Sequence, residues 1–178
     1  MAQRTLQAEG YSGLHYADIS EALGITRAAV HYHFPNKLDL ARRVMADYRE
    51  QLVERLEEID RERGTVAGKM GAYIDIYRQV LADDEDLICP GGMLAAEVMS
   101  LPPELNDEVQ RFFDANVSWV AKILATGDDE EIGGHSFDRD ALGVVAALQG
   151  ALLVARLYRR SGTFDVIAAR LLREHLVA

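Results

Sequence analysis

Hydrogen-bond donors cluster on one short stretch near the N-terminus. Arg27, His31, Tyr32, His33 and Lys37 follow one another closely along the chain. Their guanidinium, imidazole, phenol and ammonium groups can donate to phosphate oxygens or to base edges in a DNA groove. Were His31, Tyr32 and His33 all buried, each polar atom would need its own internal partner. The stretch therefore predicts a surface that binds nucleic acid.

Two short helices joined by a tight turn are expected to position these side chains. Gly24 can adopt the left-handed conformation that ends the first helix, and Thr26 can cap the second by accepting from its amides. The residues expected between the helices are apolar Ile19, Leu23, Ile25 and Val30 and small Ser20 and Ala22, with Phe34 in the core. This pattern is typical of a helix-turn-helix.

The segment from Ile19 to Leu40 resembles the DNA-binding signature of the TetR family of repressors. The glycine turn is followed by Tyr32, His33 and Phe34, then by a Pro-Asn turn and Lys37, as in that family. Helical periodicity and the breaks between periodic stretches predict an all-α fold of about nine helices, and the resemblance agrees with it. The fold implied by the resemblance has an N-terminal three-helix bundle with the helix-turn-helix and a C-terminal helical domain for ligand binding and dimerisation. DNA contacts are then expected from Tyr16, Thr26, Arg27, Ala28, His31, Tyr32, His33 and Lys37.

The resemblance also implies a repressor that a small, mostly apolar effector releases from a palindromic operator in double-stranded DNA.

Two features depart from the family pattern. The first helix is expected to be truncated, covering only Ala2 to Glu9, and Ser20 stands where the family commonly has Ala. In the expected mechanism, effector binding shifts the helix from Lys37 to about Arg61 and changes the separation of the two recognition helices.

The distribution of charge along the chain supports this interpretation, although the net charge does not. The net charge of −10 disfavours binding to a polyanion, but residues 1–45 carry +1 and the remainder carries −11. The single cysteine, Cys89, excludes an internal disulfide, and no N-terminal export signal is evident. We expect a cytoplasmic protein.

Helical periodicity dominates the chain, and no segment alternates apolar and polar residues long enough to predict a strand. The amphipathic helix that begins at Lys37 contacts two modules in this interpretation. We therefore divide the chain into a DNA-binding domain, 1–46, and an effector-binding and dimerisation domain, 47–178.

Two apolar helices near the C-terminus, 138–160 and 163–176, are expected to form a homodimer. The first is apolar on nearly every side, so a partner chain is its natural cover. The alternative is that these stripes form the core of a monomer. The longest apolar run, Ala141 to Leu157, is interrupted by Gly143, Gln149, Gly150 and Arg156, so we expect no membrane span.

The effector is expected to contact aromatic, sulfur-containing and polar side chains of the middle helices. The candidates are Tyr73, Tyr77, Cys89, Met93, Met99, Phe112, Phe113, Trp119 and Gln149. Taken singly, each of them is also typical of a hydrophobic core. Only the set, with polar groups on Tyr73, Tyr77 and Gln149, indicates a ligand cavity.

Cys89 carries a second hypothesis, because Pro90, Gly91 and Gly92 follow it before an expected helix from Met93 to Met99. Helix amides near its sulfur would favour a thiolate that senses electrophiles or oxidants. The alternative is a passive buried cysteine.

Enzymes are the main competing class, and their motifs are absent from the sequence. It has no Walker loop, no dinucleotide-binding glycine pattern, no paired cysteines and no HExxH motif, and we expect neither a cofactor nor a metal site. The alternatives that stay open are a helical receptor or scaffold dimer without DNA binding and, more remotely, a thiol-dependent enzyme.

Overall fold

The computed structural model describes residues 1–83, 87–124, 129–132 and 135–176. Nine helices and two short strands lie within these residues. The helices are α1 (Ala2–Glu9), α2 (Tyr16–Leu23), α3 (Arg27–His33), α4 (Lys37–Glu62), α5 (Val66–Asp83), α6 (Pro90–Ala96), α7 (Pro103–Leu124), α8 (Arg139–Tyr158) and α9 (Gly162–Leu176). The expected all-α class, with about nine helices, is confirmed.

A small hairpin is the one departure from helical structure among the described residues. Strand β1 (Asp129–Ile132) pairs antiparallel with β2 (His135–Asp138). Strands of four residues are too short to show a convincing alternation of apolar and polar residues. The sequence between them is Gly-Gly, which is typical of two-residue hairpin turns, and this signal was missed.

The chain packs as two compact units. Unit 1 comprises Met1–Glu50 and Cys89–Phe112, and unit 2 comprises Gln51–Ile88 and Phe113–Ala178. Packing therefore groups α6 and the start of α7 with the N-terminal helices. The functional boundary near residue 47 stays a prediction.

Unit 1 has a small apolar core that holds the helix-turn-helix. Its fully or almost fully buried residues include Leu6, Leu14, Ile19, Val30, Leu40, Met45, Leu94 and Leu105. Ser20 is buried as expected, but Leu23 and Ile25 are 56% and 45% exposed and Ala22 is exposed. Their expected place between α2 and α3 is wrong, because Leu23 ends α2 and Ile25 lies in the turn beyond Gly24. Phe34 is half-buried.

Unit 2 is stabilised by an apolar core and by polar contacts between distant segments. Its buried side chains include Ile74, Val120, Leu148, Leu152 and Phe164. At its surface, Asp60 accepts hydrogen bonds from Lys69 (2.6 Å), Lys122 (3.1 Å) and the Trp119 indole (3.3 Å). The hydrogen bond from Lys69 lowers the pKa of Asp60 most; burial opposes it and Lys122 lowers it further.

Helix α8 has one buried face and one exposed face. Its inner residues, among them Val144, Leu148 and Leu152, are buried, and α8 packs against α9 and α5. By length and composition alone, α8 is the one helix in the described part of the chain that could cross a membrane. Burial of its inner face is also typical of the core helix of a folded domain.

Candidate functional site

The turn between α2 and α3 is built as the sequence predicts. Gly24 has φ 64° and ψ 29°, and its N–H donates to the Glu21 carbonyl at 3.1 Å. The Ile25 N–H donates to the Ser20 carbonyl at 3.0 Å, so the left-handed turn at Gly24 satisfies two carbonyls at the end of α2. Thr26 caps α3, because its Oγ1 accepts from the Ala29 N–H at 3.2 Å.

Helix α3 is fixed by one buried residue and presents the others outward. Val30 is buried and Ala29 is half-buried. Five of the seven described side chains of α3 are exposed, namely Arg27, Ala28, His31, Tyr32 and His33. Tyr32 is 84% exposed, and its ring meets the His33 ring edge to face at 5.2 Å. The Tyr32 hydroxyl is therefore open to a partner outside the chain.

Tyr16, another predicted DNA contact, also braces the helix-turn-helix. Its hydroxyl donates to the Phe34 carbonyl at 2.7 Å, and its ring lies edge-on to His31 at 4.5 Å. Burial raises the pKa of Tyr16, and the charge of Asp39 raises it further. The phenol therefore holds the C-terminus of α3 against the start of α2.

Lys37 lies at the start of α4 and is held by the turn after α1. Its Nζ donates to the Ser12 carbonyl at 3.2 Å and sits 4.4 Å from the centroid of the Tyr11 ring. Asn36 caps α4 by accepting from the Asp39 N–H at 2.9 Å. An ammonium has three donors, so one contact to Ser12 leaves Lys37 able to reach a phosphate. Sequence reasoning missed Tyr11 and Ser12, since nothing in the sequence places them beside Lys37.

Comparisons with known proteins match this arrangement. Residues 1–44 match the family model for bacterial regulatory proteins of the tetR family. Over 140 residues, the chain is 29% identical to the HTH-type transcriptional regulator CymR of Pseudomonas putida. That alignment covers 71% of this chain and 64% of CymR, less than two thirds of that protein.

Solved structures extend the similarity to nearly the whole fold. A TetR-family regulator from Agrobacterium tumefaciens superposes with a TM-score of 0.87 and 29% identity, over 98% of this chain and 93% of that one. The regulator FadR of Bacillus subtilis, solved in complex with stearoyl-CoA, gives a TM-score of 0.72 at 16% identity. That alignment covers 97% of this chain and 92% of FadR, and it shows a shared fold. The chain is therefore similar to regulators of the TetR family in its N-terminal sequence and in its fold.

Several predicted effector residues meet in unit 2. The Tyr73 hydroxyl lies 2.7 Å from Asn116 Oδ1 and 3.0 Å from the Tyr77 hydroxyl, all buried. Trp119 packs on Tyr73 with ring centroids 5.3 Å apart. Asn116 was missed by sequence reasoning, which considered mainly aromatic and sulfur-containing residues. Gln149 is buried on α8, and Phe113 is half-buried.

The remaining candidates fall in unit 1. Cys89 is buried, and its Sγ lies 3.9 Å from the Tyr48 hydroxyl. Cys89 is the N-cap residue of α6, and its side chain makes no capping hydrogen bond, so a thiolate stabilised by helix amides stays a prediction. The helix also begins earlier than expected, at Pro90, and ends at Ala96.

Other unit 1 candidates differ sharply in burial. Phe112 is buried and packs against Gly91 so closely that a Cβ there would collide with its ring. Met93 is half-buried. Met99 is 96% exposed, so its proposed place in a cavity is wrong; it lies in the turn after α6.

Unit 2 also contains a cleft of about 650 Å³. It is lined by residues from α5, the end of α8 and the start of α9, including Arg78, Arg156, Arg160 and Phe164. The predicted effector residues do not line this cleft. Among the described side chains, no group of three His, Cys, Asp or Glu residues could hold a metal ion.

Proposed function

We propose that this chain is a DNA-binding transcriptional repressor in which α3 is the recognition helix. The observation that carries the proposal is a capped α3 whose polar and aromatic side chains, Tyr32 above all, are exposed. The match of residues 1–44 to the tetR family model supports the same conclusion.

The predicted DNA-binding side chains differ in their proposed roles. Arg27 has the planar donor pair that reads guanine, and Ala28 is small enough to let the backbone approach the groove. Tyr32, His33 and Lys37 are suited to phosphate oxygens, which fix the register of the helix. Tyr16 is proposed to act mainly by holding α3 in place through its contacts with Phe34 and His31.

A fluorescence anisotropy titration tests the proposal. The full chain is titrated onto a labelled fragment of the DNA upstream of its own coding sequence, and onto a scrambled fragment of the same length. A repressor binds the native fragment more tightly and loses affinity as salt rises, because phosphate contacts release counterions. Equal, weak binding to both fragments would instead support the alternative of a receptor or scaffold without an operator.

We propose that the protein acts as a homodimer through α8 and α9. The outer face of α8 exposes Leu153, Val154, Leu157 and Tyr158, and α9 exposes Val166. A Cβ added at Gly143 would meet no atom within 4 Å, so the backbone of a partner helix has room to approach. Two recognition helices would then read a palindromic operator.

We propose that a mostly apolar effector binds in unit 2, near Tyr73, Tyr77 and Asn116. These residues place hydrogen-bonding groups inside an apolar core, where they could orient one polar group of a ligand. Effector binding is proposed to act on α4, which contributes residues to both units, and to change the spacing of the recognition helices. With DNA as its partner, the protein is proposed to work in the cytoplasm.

A thermal-shift screen followed by titration tests this part. A compound that raises the melting temperature is added at saturation to the complex with upstream DNA. A fall in DNA affinity of fivefold or more, about 1 kcal/mol of coupling, supports an effector role. Unchanged affinity for every stabilising compound would contradict it.

A further inference from the structure

Glu97, which follows α6 directly, contacts the turn after α1 within unit 1. Its Oε2 accepts from the Tyr11 N–H at 2.8 Å, across 86 positions of sequence. The Tyr11 N–H is the first amide after α1 and Gly10, so the Glu97 carboxylate binds the chain where it leaves the helix. This turn is the one that holds Lys37.

Gly10 shows that the turn is shaped around this carboxylate. Its φ of 70° and ψ of −164° are open essentially to glycine alone. A Cβ at Gly10 would also collide with the carboxylate of Glu97. Backbone conformation therefore favours glycine at this position, and a side chain there would displace the Glu97 carboxylate.

Glu97 is itself held on its far side. Its N–H donates to the Leu94 carbonyl at 2.9 Å, and its carbonyl accepts from the N–H of Ser100 at 2.8 Å. Asn106 donates to the carbonyl of the next residue, Val98, at 3.3 Å. The backbone that carries the Glu97 side chain is thus held by local hydrogen bonds.

Lys37 completes the arrangement. Burial lowers the pKa of Lys37, and the negative charge of Glu97 opposes that shift. The Glu97 carboxylate therefore orders the turn that holds the ammonium, and its charge lies close enough to affect the pKa of Lys37.

We infer that Glu97 is a positioning residue for DNA binding: it orders the Tyr11–Ser12 turn and thereby holds Lys37 where the ammonium meets a phosphate. This inference rests on the proposed function. Glu97 does not touch DNA in this scheme and acts through Lys37. Removal of its side chain leaves Lys37 present but no longer pre-oriented, so ordering it costs binding free energy.

Two substitutions at Glu97 separate its hydrogen bond from its charge. Glu97→Gln keeps an oxygen that accepts from the Tyr11 N–H and removes a negative charge near the DNA. We expect it to bind upstream DNA as tightly as the wild type or slightly tighter. Glu97→Ala removes the acceptor, and we expect binding about threefold to tenfold weaker, the scale of one hydrogen bond. Glu104→Ala, an exposed residue of unit 1, is the control for the change in charge.

A Lys37→Met background shows whether the effect passes through Lys37. If Glu97 positions Lys37, Glu97→Ala weakens DNA binding by less than about twofold in that background, since the interaction is already lost. An equal loss in both backgrounds would identify a general structural role and overturn the inference. An unchanged DNA affinity of Glu97→Ala in the protein that keeps Lys37 would also overturn the inference.

Hydrogen exchange at Tyr11 provides a readout that needs no DNA. We expect faster exchange of its amide in Glu97→Ala than in Glu97→Gln or the control, and equal exchange would overturn the inference. A wild-type protein that fails to select its upstream DNA contradicts the proposed function itself and the inference with it. Selective wild-type binding with no effect of Glu97→Ala contradicts the inference alone.

Discussion

The helix-turn-helix and the α8 region both leave large side chains exposed, but they do so in different ways. Helix α3 is short, locally capped by Thr26, and exposes mixed polar and aromatic groups around Tyr32. Helix α8 is long and exposes apolar side chains such as Leu157, which is 78% exposed. Polar donors suit a phosphate backbone, whereas an apolar stripe suits another apolar surface. The difference agrees with the two partners proposed above, DNA for α3 and a second copy of the chain for α8.

The largest expected effect comes from placing a charge on the apolar surface. Leu157→Glu should weaken the dimer by at least about a hundredfold, since burying a lone carboxylate costs several kcal/mol. Sedimentation velocity over a range of concentrations measures the change. Val66→Glu, an exposed position at the start of α5, is the matched control and should leave the dimer intact. A dimer that tolerates Leu157→Glu would remove α8 from the interface.

The next effect tests the polar surface. Arg27→Ala should weaken specific DNA binding about tenfold to a hundredfold, the range for losing one base contact, and should leave the melting temperature nearly unchanged. Anisotropy titration on the upstream fragment measures it. Arg173→Ala, exposed on α9, removes the same charge from unit 2 and should have little effect. Equal losses for both variants would mean that only net charge matters.

A smaller effect tests whether the local cap shapes α3. Thr26→Ala removes the acceptor for the Ala29 N–H and should lower the free energy of unfolding by about 1 kcal/mol. Thr26→Ser keeps the hydroxyl and should restore most of that loss. Urea denaturation monitored by circular dichroism compares the three proteins. If Thr26→Ala were as stable as the wild type, the cap would not contribute to holding the recognition helix.

Local and long-range contacts differ in how much of them the sequence reveals. Gly24 and Thr26 act on amides and carbonyls a few positions away, so their roles follow from local chemistry. The contact between Glu97 and Tyr11 depends on packing across 86 positions, and no local pattern encodes it. Helical periodicity likewise predicts the class of the fold, but not which apolar side chains are covered.

Leu23 and Ile25 illustrate that limit. Their apolar type favours burial between α2 and α3, but one ends a helix and the other lies in a turn. Asn116 shows the converse case, a polar residue that is buried because Tyr73 on another helix supplies its partner. Burial at such positions is decided by tertiary packing, which a single sequence does not specify.

The smallest predicted effect concerns pH and the ion pairs of unit 2. Lys69 and Lys122 hold Asp60 charged, so its pKa in the folded chain is lower than the ordinary value of 3.8. A lowered carboxyl pKa adds stability above the unfolded value, and that stability is lost as pH falls through the folded value. Asp60→Asn should therefore be less stable than the wild type at pH 7, by about 1 kcal/mol for a largely surface network. The gap should close as the pH falls below 3.8.

Urea titrations at a series of pH values measure that gap, with Glu57→Gln as the control. Glu57 is exposed and pairs with Arg61 at only 4.0 Å, so its loss should change stability little at any pH. If the difference in stability between Asp60→Asn and the wild type stayed constant as the pH fell, it would not depend on the charge of Asp60. The loss of stability would then come from altered hydrogen-bond geometry at Lys69 and Trp119. In that case the charge on Asp60 would contribute nothing to the free energy of unfolding of unit 2.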